Sequence, residues 1–252
     1  MKRDRVGGVN AVRGLVEKHP ERIVQLWIRS RAGGRLDALA GMARDAGIAV
    51  QPADDKALAR LVRAENHQGV VAEFHPPEPL DEKDLLSLAE AAGPKALFLV
   101  LDQVQDPHNL GACLRSAAAA GATAVVVPRD RSAGLTPAVQ RASAGGSEHV
   151  ELAAVANLAR ALKLLADAGI WIVGLDGEAR VAIHDQDLTG PLALVLGSEE
   201  KGMRRLTRES CDHLVHIPMP GNMESLNVSV SAGIALFEAI RQRAAASPAQ
   251  GS

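Results

Sequence analysis

The sequence predicts an α/β protein in which an open parallel-sheet domain follows a smaller α/β unit. Three observations carry that reading. From Lys95 onward, strand-length apolar runs alternate with helix-length amphipathic ones, the pattern of a parallel sheet joined by crossover helices. Runs such as "ALFLVLD" (96–102) and "LALVLG" (192–197) are apolar almost throughout, as in strands buried on both faces. Between the two halves, "PPEPLDEKDLLSLAEAAGPK" is Pro-rich and acidic and reads as a linker with one short helix. The expected divisions are a first domain over 1–75, a linker over 76–94, a second domain over 95–243 and a flexible tail over 244–252.

The elements follow in order. In the first unit Val9, Val12, Leu15 and Val16 mark a short helix within 6–19, and "RIVQLWI" (22–28) a strand. "LDALAGMARDAG" (36–47) is a helix ending at Gly47, and "IAVQPA" a second strand. "DDKALARLVR" is a helix capped by Asp54 or Asp55, and "GVVAEFH" (69–75) a third strand. In the second domain "NLGACLRSAAAAGA" is a helix that Asn109 can cap after the stiff turn at Pro107, and "AVVVP" a strand. "TPAVQRASAGGSEHV" reads as a helix with a Gly-rich exit, "VELAAV" as a short strand, and "NLARALKLLADAG" as a helix capped by Asn157 and stopped at Gly169. "IWIVGLD" and "HLVHIP" complete the strands, and a long helix runs to about Arg243. The stretch "MPGNMESLNVSVSAG" (219–233) reads two ways. Leu226, Val228 and Val230 alternate like a strand, whereas Val230, Ile234 and Phe237 keep helical spacing.

Composition narrows the function. Hydrophobic residues are 47% of the 252, but aromatics only 2%, with no Tyr. So few rings argue against the base-stacking platforms of single-strand binders. Two cysteines, Cys113 and Cys211, form no CxxC pair and suit a reducing cytoplasm. "MKRDRVGGVNAVRG" has no apolar signal core, and no run approaches the roughly 20 apolar residues of a membrane span. A soluble, cytoplasmic protein without a membrane partner is expected. Residues 1–75 carry 13 Lys/Arg against 9 Asp/Glu, a balance of +4, within a net charge of −2. That balance suits a polyanion and an ordinary solvated surface about equally.

Common catalytic signatures are absent. There is no GxGxxG after a strand, no GxxxxGK[ST] and no GxSxG. Cys211, His213 and His216 have no second ligand cluster to complete a zinc tetrahedron, so no metal is expected. Three polar clusters remain, each at the end of a strand: "DQVQDPHNLGACLRSA" (102–117), "LVLGSEEKGM" (194–203) and the stretch around 219–233. Arg115, six residues beyond Asn109, is about 120° away around the helix yet has the length to reach back. Gly197 lets a backbone approach a ligand. From residues alone this is an α/β enzyme or binder with a cleft containing Asn109, Arg115, Glu199 and Ser225–Asn227.

At these clusters the sequence resembles a known family. "DPHNLGACLRSAAAAGATAVVVP", "LALVLGSEEKGMRRL" and "IPMPGNMESLNVSVSAGIALFE" are similar to the three motifs of the SpoU (TrmH-type) RNA 2′-O-ribose methyltransferases. The resemblance covers nearly the whole chain. "VGGVNAVRGLVE" and "ENHQGVVAEF" resemble the amino-terminal RNA-binding domain of one subgroup, and in the second domain "PRDRSAGLTPAVQRASAGGSEHVEL" and "GMRRLTRESCDHLVHIPM" resemble the same subgroup. That subgroup methylates a guanosine ribose in the peptidyl-transferase P loop of bacterial 23S rRNA. The resemblance implies a SPOUT fold, a parallel sheet whose carboxyl-terminal part is threaded into a trefoil knot; pattern rules would not propose a knot. It implies S-adenosyl-L-methionine as cofactor, held by backbone groups near Gly197, Ile217 and Leu226. It also implies a homodimer with an active site completed from both subunits, 23S rRNA as substrate, and a ribosomal-protein-like RNA-binding domain at the start.

Carried over residue by residue, Asn109 and Arg115 match the first-motif pair, Glu199 the second-motif carboxylate, and Ser225 and Asn227 the third-motif pair. The family's matching Arg has been proposed as the base that takes the 2′-hydroxyl proton. A guanidinium pKa above about 12 makes that demanding. The alternative role is orienting the target phosphate and polarising the hydroxyl, with a phosphate oxygen or water accepting the proton. Glu199 is expected to hold the Arg115 guanidinium, Asn109 to shape the loop, and Ser225 to start the final helix. "GNMES" departs from the family in carrying Asn222, Met223 and Glu224, where small or uncharged residues are common. Two rivals stand beside this reading. A tRNA 2′-O-ribose methyltransferase is disfavoured by the separate first domain, and a catalytically silent RNA-binding assembly factor by the intact motif residues.

Overall fold

The computed structural model describes residues 3–30, 33–62, 67–76, 80–130, 132–223 and 225–246. Glu224, part of the linker and residues 247–252 of the expected tail lie outside them.

The first sheet has strand order β1-β4-β2-β3, from β1 (Asp4–Gly7), β2 (Ile23–Arg29), β3 (Val50–Ala53) and β4 (Val70–Phe74). β2 and β3 run parallel, while β4 is antiparallel to both β1 and β2. Helices α1 (Val9–Lys18) and α2 (Arg35–Asp45) bury Val12, Leu15 and Leu39 against Val6, Leu26 and Phe74. Helix α3 (Asp55–Val62), capped by Asp54 through a 2.7 Å bond from the Ala57 N–H, packs Leu58 and Val62 on Val71. β1 is an addition to the sequence reading. Its four residues alternate with no apolar signature; what fixes the strand is a cross-strand pair, Arg5 donating to Glu73 Oε1 at 2.8 and 2.9 Å.

The second sheet is all parallel, in the order β7-β6-β5-β10-β8-β11-β9. Its strands are β5 (Leu97–Leu101), β6 (Ala124–Pro128), β7 (Glu151–Val155), β8 (Trp171–Leu175), β9 (Val181–Ala182), β10 (Leu192–Leu196) and β11 (His213–His216). Every residue of β5, β6 and β10 is buried, which is what their unbroken apolar runs require. Chain order and strand order part company after β7. β8 is laid down on the far side, and β10 returns to fill the place between β5 and β8. The strand order reverses beside β5 and β10, so the crevice at their carboxyl ends is where such a sheet binds ligands.

One face of this sheet is covered by α5 (Pro107–Ala119), α6 (Pro137–Ser143) and α9 (Val228–Ala246), the other by α4 (Glu82–Ala92) and α7 (Leu158–Asp167). The helix read as part of a linker is α4. It buries Leu85 and Ala89 on the second sheet, begins at a capping box of Asp81 and Asp84, and follows a bridge between Leu80 and Ala153. Helices α5 and α6 meet closely because Gly111 has no side chain: a Cβ there would lie 2.4 Å from the Ala142 Cβ. Among the described residues no helix is long and apolar enough to cross a membrane.

Helix starts depart from the sequence reading in two places. Asp106, not Asn109, caps α5, accepting from the His108 N–H at 3.0 Å, with Pro107 in the first turn. Ser225 does not begin the last helix. α9 starts at Val228, and Asn227 caps it by accepting from the Ser229 N–H at 2.9 Å. Val228 and Val230 are helical despite their alternation, because Asn227 C=O accepts from both Val230 and Ser231 N–H. Asn157 caps α7 as expected.

Glu238 on α9 makes one part of the stability pH-dependent. Arg241 donates to it at 2.7 and 2.8 Å and Gln242 at 2.9 Å, which holds its carboxyl down at about 2, from an ordinary 4.5, against the cost of burial. A depressed folded pKa means this contribution is complete above about pH 4.5 and is lost as pH falls through about 2. Thermal melts should therefore place Glu238→Gln below the parent at pH 6, with the gap closing as pH approaches 2.

Candidate active site

The site is built from strand ends. β5 is followed directly by Asp102, fully buried, which accepts from the Arg204 backbone N–H at 2.8 Å and from Arg204 Nε at 2.7 Å. A carboxylate closing an apolar strand needs such a cation. The pair clamps the turn after β10 over the crevice. Asp102→Ala would strand two donors and should cost about 3 kcal/mol, a fall of roughly 6–12 °C in Tm for a chain of this size, read by thermal unfolding.

Inside that turn Gly197 is pressed against Gly202 and Met203, and Ser198 and Gly202 exchange backbone hydrogen bonds at 2.8 and 3.2 Å. The turn presents Glu199. Its Oε1 accepts from Asn109 Nδ2 at 3.1 Å, from Asn227 Nδ2 at 2.8 Å and from the Val228 N–H at 3.2 Å. Asn227 Nδ2 also donates to Asn109 Oδ1 at 3.0 Å. Residues 109, 199 and 227, far apart in sequence, thus meet on one carboxylate oxygen at the start of α9, where the helix dipole favours negative charge.

Beside them lies a cavity of about 710 Å³ at the ends of β8, β10 and β11. Gly197, Glu199, Ile217, Ser225 and Leu226 all line it. The volume and the mixture of apolar walls with a few polar groups suit a cofactor-sized ligand. Glu199 also lines a second cavity of about 290 Å³, shared with Gln103, Gln105 and Asn109, so it stands between the two. The sequence reading missed Asp176 and Arg208 on the larger cavity's wall. Burial opposes Asp176's charge, but bonds from Arg208 and from the Glu178 N–H outweigh it and hold the carboxyl below its usual range.

Arg115 is elsewhere. It is exposed on the flank of α5 and lines neither cavity. The expectation that Glu199 holds its guanidinium is corrected: Glu199 holds Asn109 and Asn227. Arg115 lies about 120° around α5 from Asn109, on the side where Gly146 and α1 approach. Cys211 is half-buried, its thiol pushed up to about 12 by burial, and His213 lies against Trp171 at 5.4 Å between ring centroids. Among the described residues no three His, Cys, Asp or Glu side chains are grouped to hold a metal.

A parallel sheet with a polar triad and a cofactor-sized cavity at its carboxyl ends agrees with the comparisons, in which the SpoU rRNA Methylase family matches residues 96–237. The chain belongs to that family. Residues 5–80 match the domain described as RNA 2′-O ribose methyltransferase substrate binding. The chain is 50% identical over 241 residues to the 23S rRNA (guanosine-2′-O-)-methyltransferase RlmB of Pseudomonas putida, covering 95% of this chain and 97% of that one. It is 49% identical to the protein of the same name from Xylella fastidiosa, covering 94% and 95%. Among solved structures, the SpoU methyltransferase AviRb from Streptomyces viridochromogenes, in complex with the cofactor AdoMet, superposes with a TM-score of 0.80 at 25% identity, over 96% of this chain and 91% of that one. The A. aeolicus TrmH/SpoU tRNA modifying enzyme, 30% identical, covers 65% of this chain and 84% of its own, with a TM-score of 0.55.

Proposed function

We propose that the protein methylates a guanosine ribose 2′-hydroxyl of bacterial 23S rRNA, in the peptidyl-transferase P loop, with S-adenosylmethionine as donor. The observation that carries this reading is the convergence of Asn109, Asn227 and the Val228 N–H on Glu199 beside a cavity of cofactor size. Residues 1–75 bind the rRNA and 95–243 carry the chemistry in the cytoplasm, where ribosomes are made, with α4 of the intervening segment packed on the second sheet. The tRNA rival is weakened because the tRNA enzyme's likeness stops at 65% of this chain.

S-Adenosylmethionine, when bound, supplies a methyl group on a sulfonium, which leaves as a neutral thioether. Backbone groups near Gly197, Ile217 and Leu226 would hold it, with Ser225 at the rim of the same cavity. Glu199 keeps Asn109 and Asn227 fixed, so that α9 and the turn after β10 form one rigid wall. Arg115 grips the phosphate next to the target ribose and polarises the 2′-hydroxyl, whose proton passes to a phosphate oxygen or water.

Arg115 reaches that position from a second copy of the chain. Two features support a homodimer: Arg115 stands apart from the cavity of its own chain, and Val230 and Phe237, seven residues apart on one face of α9, are each about half exposed. Incubation with methyl-labelled S-adenosylmethionine and 23S rRNA, mapped by primer extension, should label one guanosine of the P loop. Label confined to tRNA would establish the rival enzyme, and cofactor binding without any transfer a silent assembly factor.

A further inference from the structure

The two domains meet at a junction beside Arg115. The turn after α6 enters it with Ala144 and Gly145 in left-handed conformations, at φ +50° and +95°. A Cβ at Gly145 would lie 2.9 Å from the carbonyl oxygen of Asn10 on α1, and one at Gly146 would lie 2.7 Å from the Cα of Arg115 on α5. The turn therefore locks the first domain's α1 beside the helix that carries Arg115. Between them runs a groove of about 230 Å³ lined by Asn10, Arg13, Glu17, Arg115 and His149.

Two guanidiniums face this groove, and no hydrogen bond is made by either among the described residues. Arg13 has its Nε closed off from solvent without a hydrogen-bond partner. It forms a loose ion pair with Glu17 Oε1 at 3.9 Å, beyond hydrogen-bond reach. The Arg13 side chain is otherwise 43% exposed, so the rest of its fork is open to the groove. Among the described residues Arg115 makes no hydrogen bond or ion pair. A planar fork without a hydrogen-bond partner on each wall is chemistry for a phosphodiester, which offers two oxygens to each. Glu17 opposes an anion and sets the groove's net charge low, so the site takes a phosphate only where the backbone is already delivered by the rest of the RNA.

We infer that a phosphodiester of the substrate RNA, adjacent to the one Arg115 grips, lies in this groove between α1 and α5, with Arg13 as its positioning residue. The inference rests on the proposed function and extends it: the first domain sets the register of the strand as well as adding affinity. The full-length protein, titrated with a 23S rRNA transcript over a range of salt, tests it. Arg13→Ala should bind about tenfold more weakly and flatten the slope of log K against log salt by about 0.7–0.9. Arg13→Lys should keep the parent slope, because the charge remains, and Glu17→Gln should bind more tightly than the parent at low salt. A purely structural Arg13 would move neither the slope nor the Glu17 variant. Parent slope and affinity in Arg13→Ala, or no gain in Glu17→Gln, would overturn the assignment. Methyl transfer by the unaltered protein on the same transcript reads the proposed function separately, so loss of transfer with the Arg13 effect intact would remove the activity and leave the groove.

Discussion

Arg115→Lys should lower methyl transfer to 23S rRNA by about 10²–10³-fold while leaving cofactor affinity unchanged. Lys keeps the charge but loses the planar fork, and a point charge cannot hold two phosphate oxygens while polarising a neighbouring hydroxyl. Arg115 is exposed and lines neither of the two cavities beside Glu199 in its own chain, so the substitution disturbs no cofactor contact there. Single-turnover label transfer and a calorimetric cofactor titration together check both halves. Parental transfer by the Lys variant would take Arg115 out of the mechanism.

Gly197→Ala should have the opposite signature, with cofactor binding failing first. Its Cβ would fall 2.0 Å from the Gly202 carbonyl carbon and 2.1 Å from the Met203 nitrogen, both backbone atoms that cannot rotate aside. The Ser198–Gly202 hydrogen bonds hold that turn closed, so relief requires opening it. Overpacking of this kind costs about 1–3 kcal/mol or more, and here the strain falls on the wall that carries Glu199. Cofactor affinity should drop by about 100-fold, measured by the same titration, with a lowered Tm. A variant that binds the cofactor normally would show that the turn yields without consequence.

Much of this was legible in the residues. Fully apolar strands such as 97–101 and 192–196 announced a doubly covered parallel sheet, and polar clusters at strand ends located the cleft. What escaped was decided by partners distant in the chain. β1 is held by a cross-strand Arg5–Glu73 pair that single-strand periodicity does not contain. The last helix starts three residues later than expected because Asn227 serves as cap and as a donor to Glu199 at once. The Asp102–Arg204 clamp spans about a hundred positions; its only sequence signal was a carboxylate ending an otherwise apolar run. Arg115 was grouped with Asn109 by proximity in sequence, and helical geometry separates them.

With Arg115 apart from its own chain's cavity, a site shared between two chains should let two inactive proteins complement each other when mixed. Arg115→Lys keeps the cofactor wall and lacks the fork; Gly197→Ala keeps the fork and lacks the wall. If the cavity of one protomer works with Arg115 of its partner, co-refolding the two variants should build one complete site in each mixed dimer. Transfer to 23S rRNA should then recover to about a quarter of the parental rate. Mixed dimers, verified by tag co-purification, that remain as inactive as either variant alone would contradict a site shared between two chains.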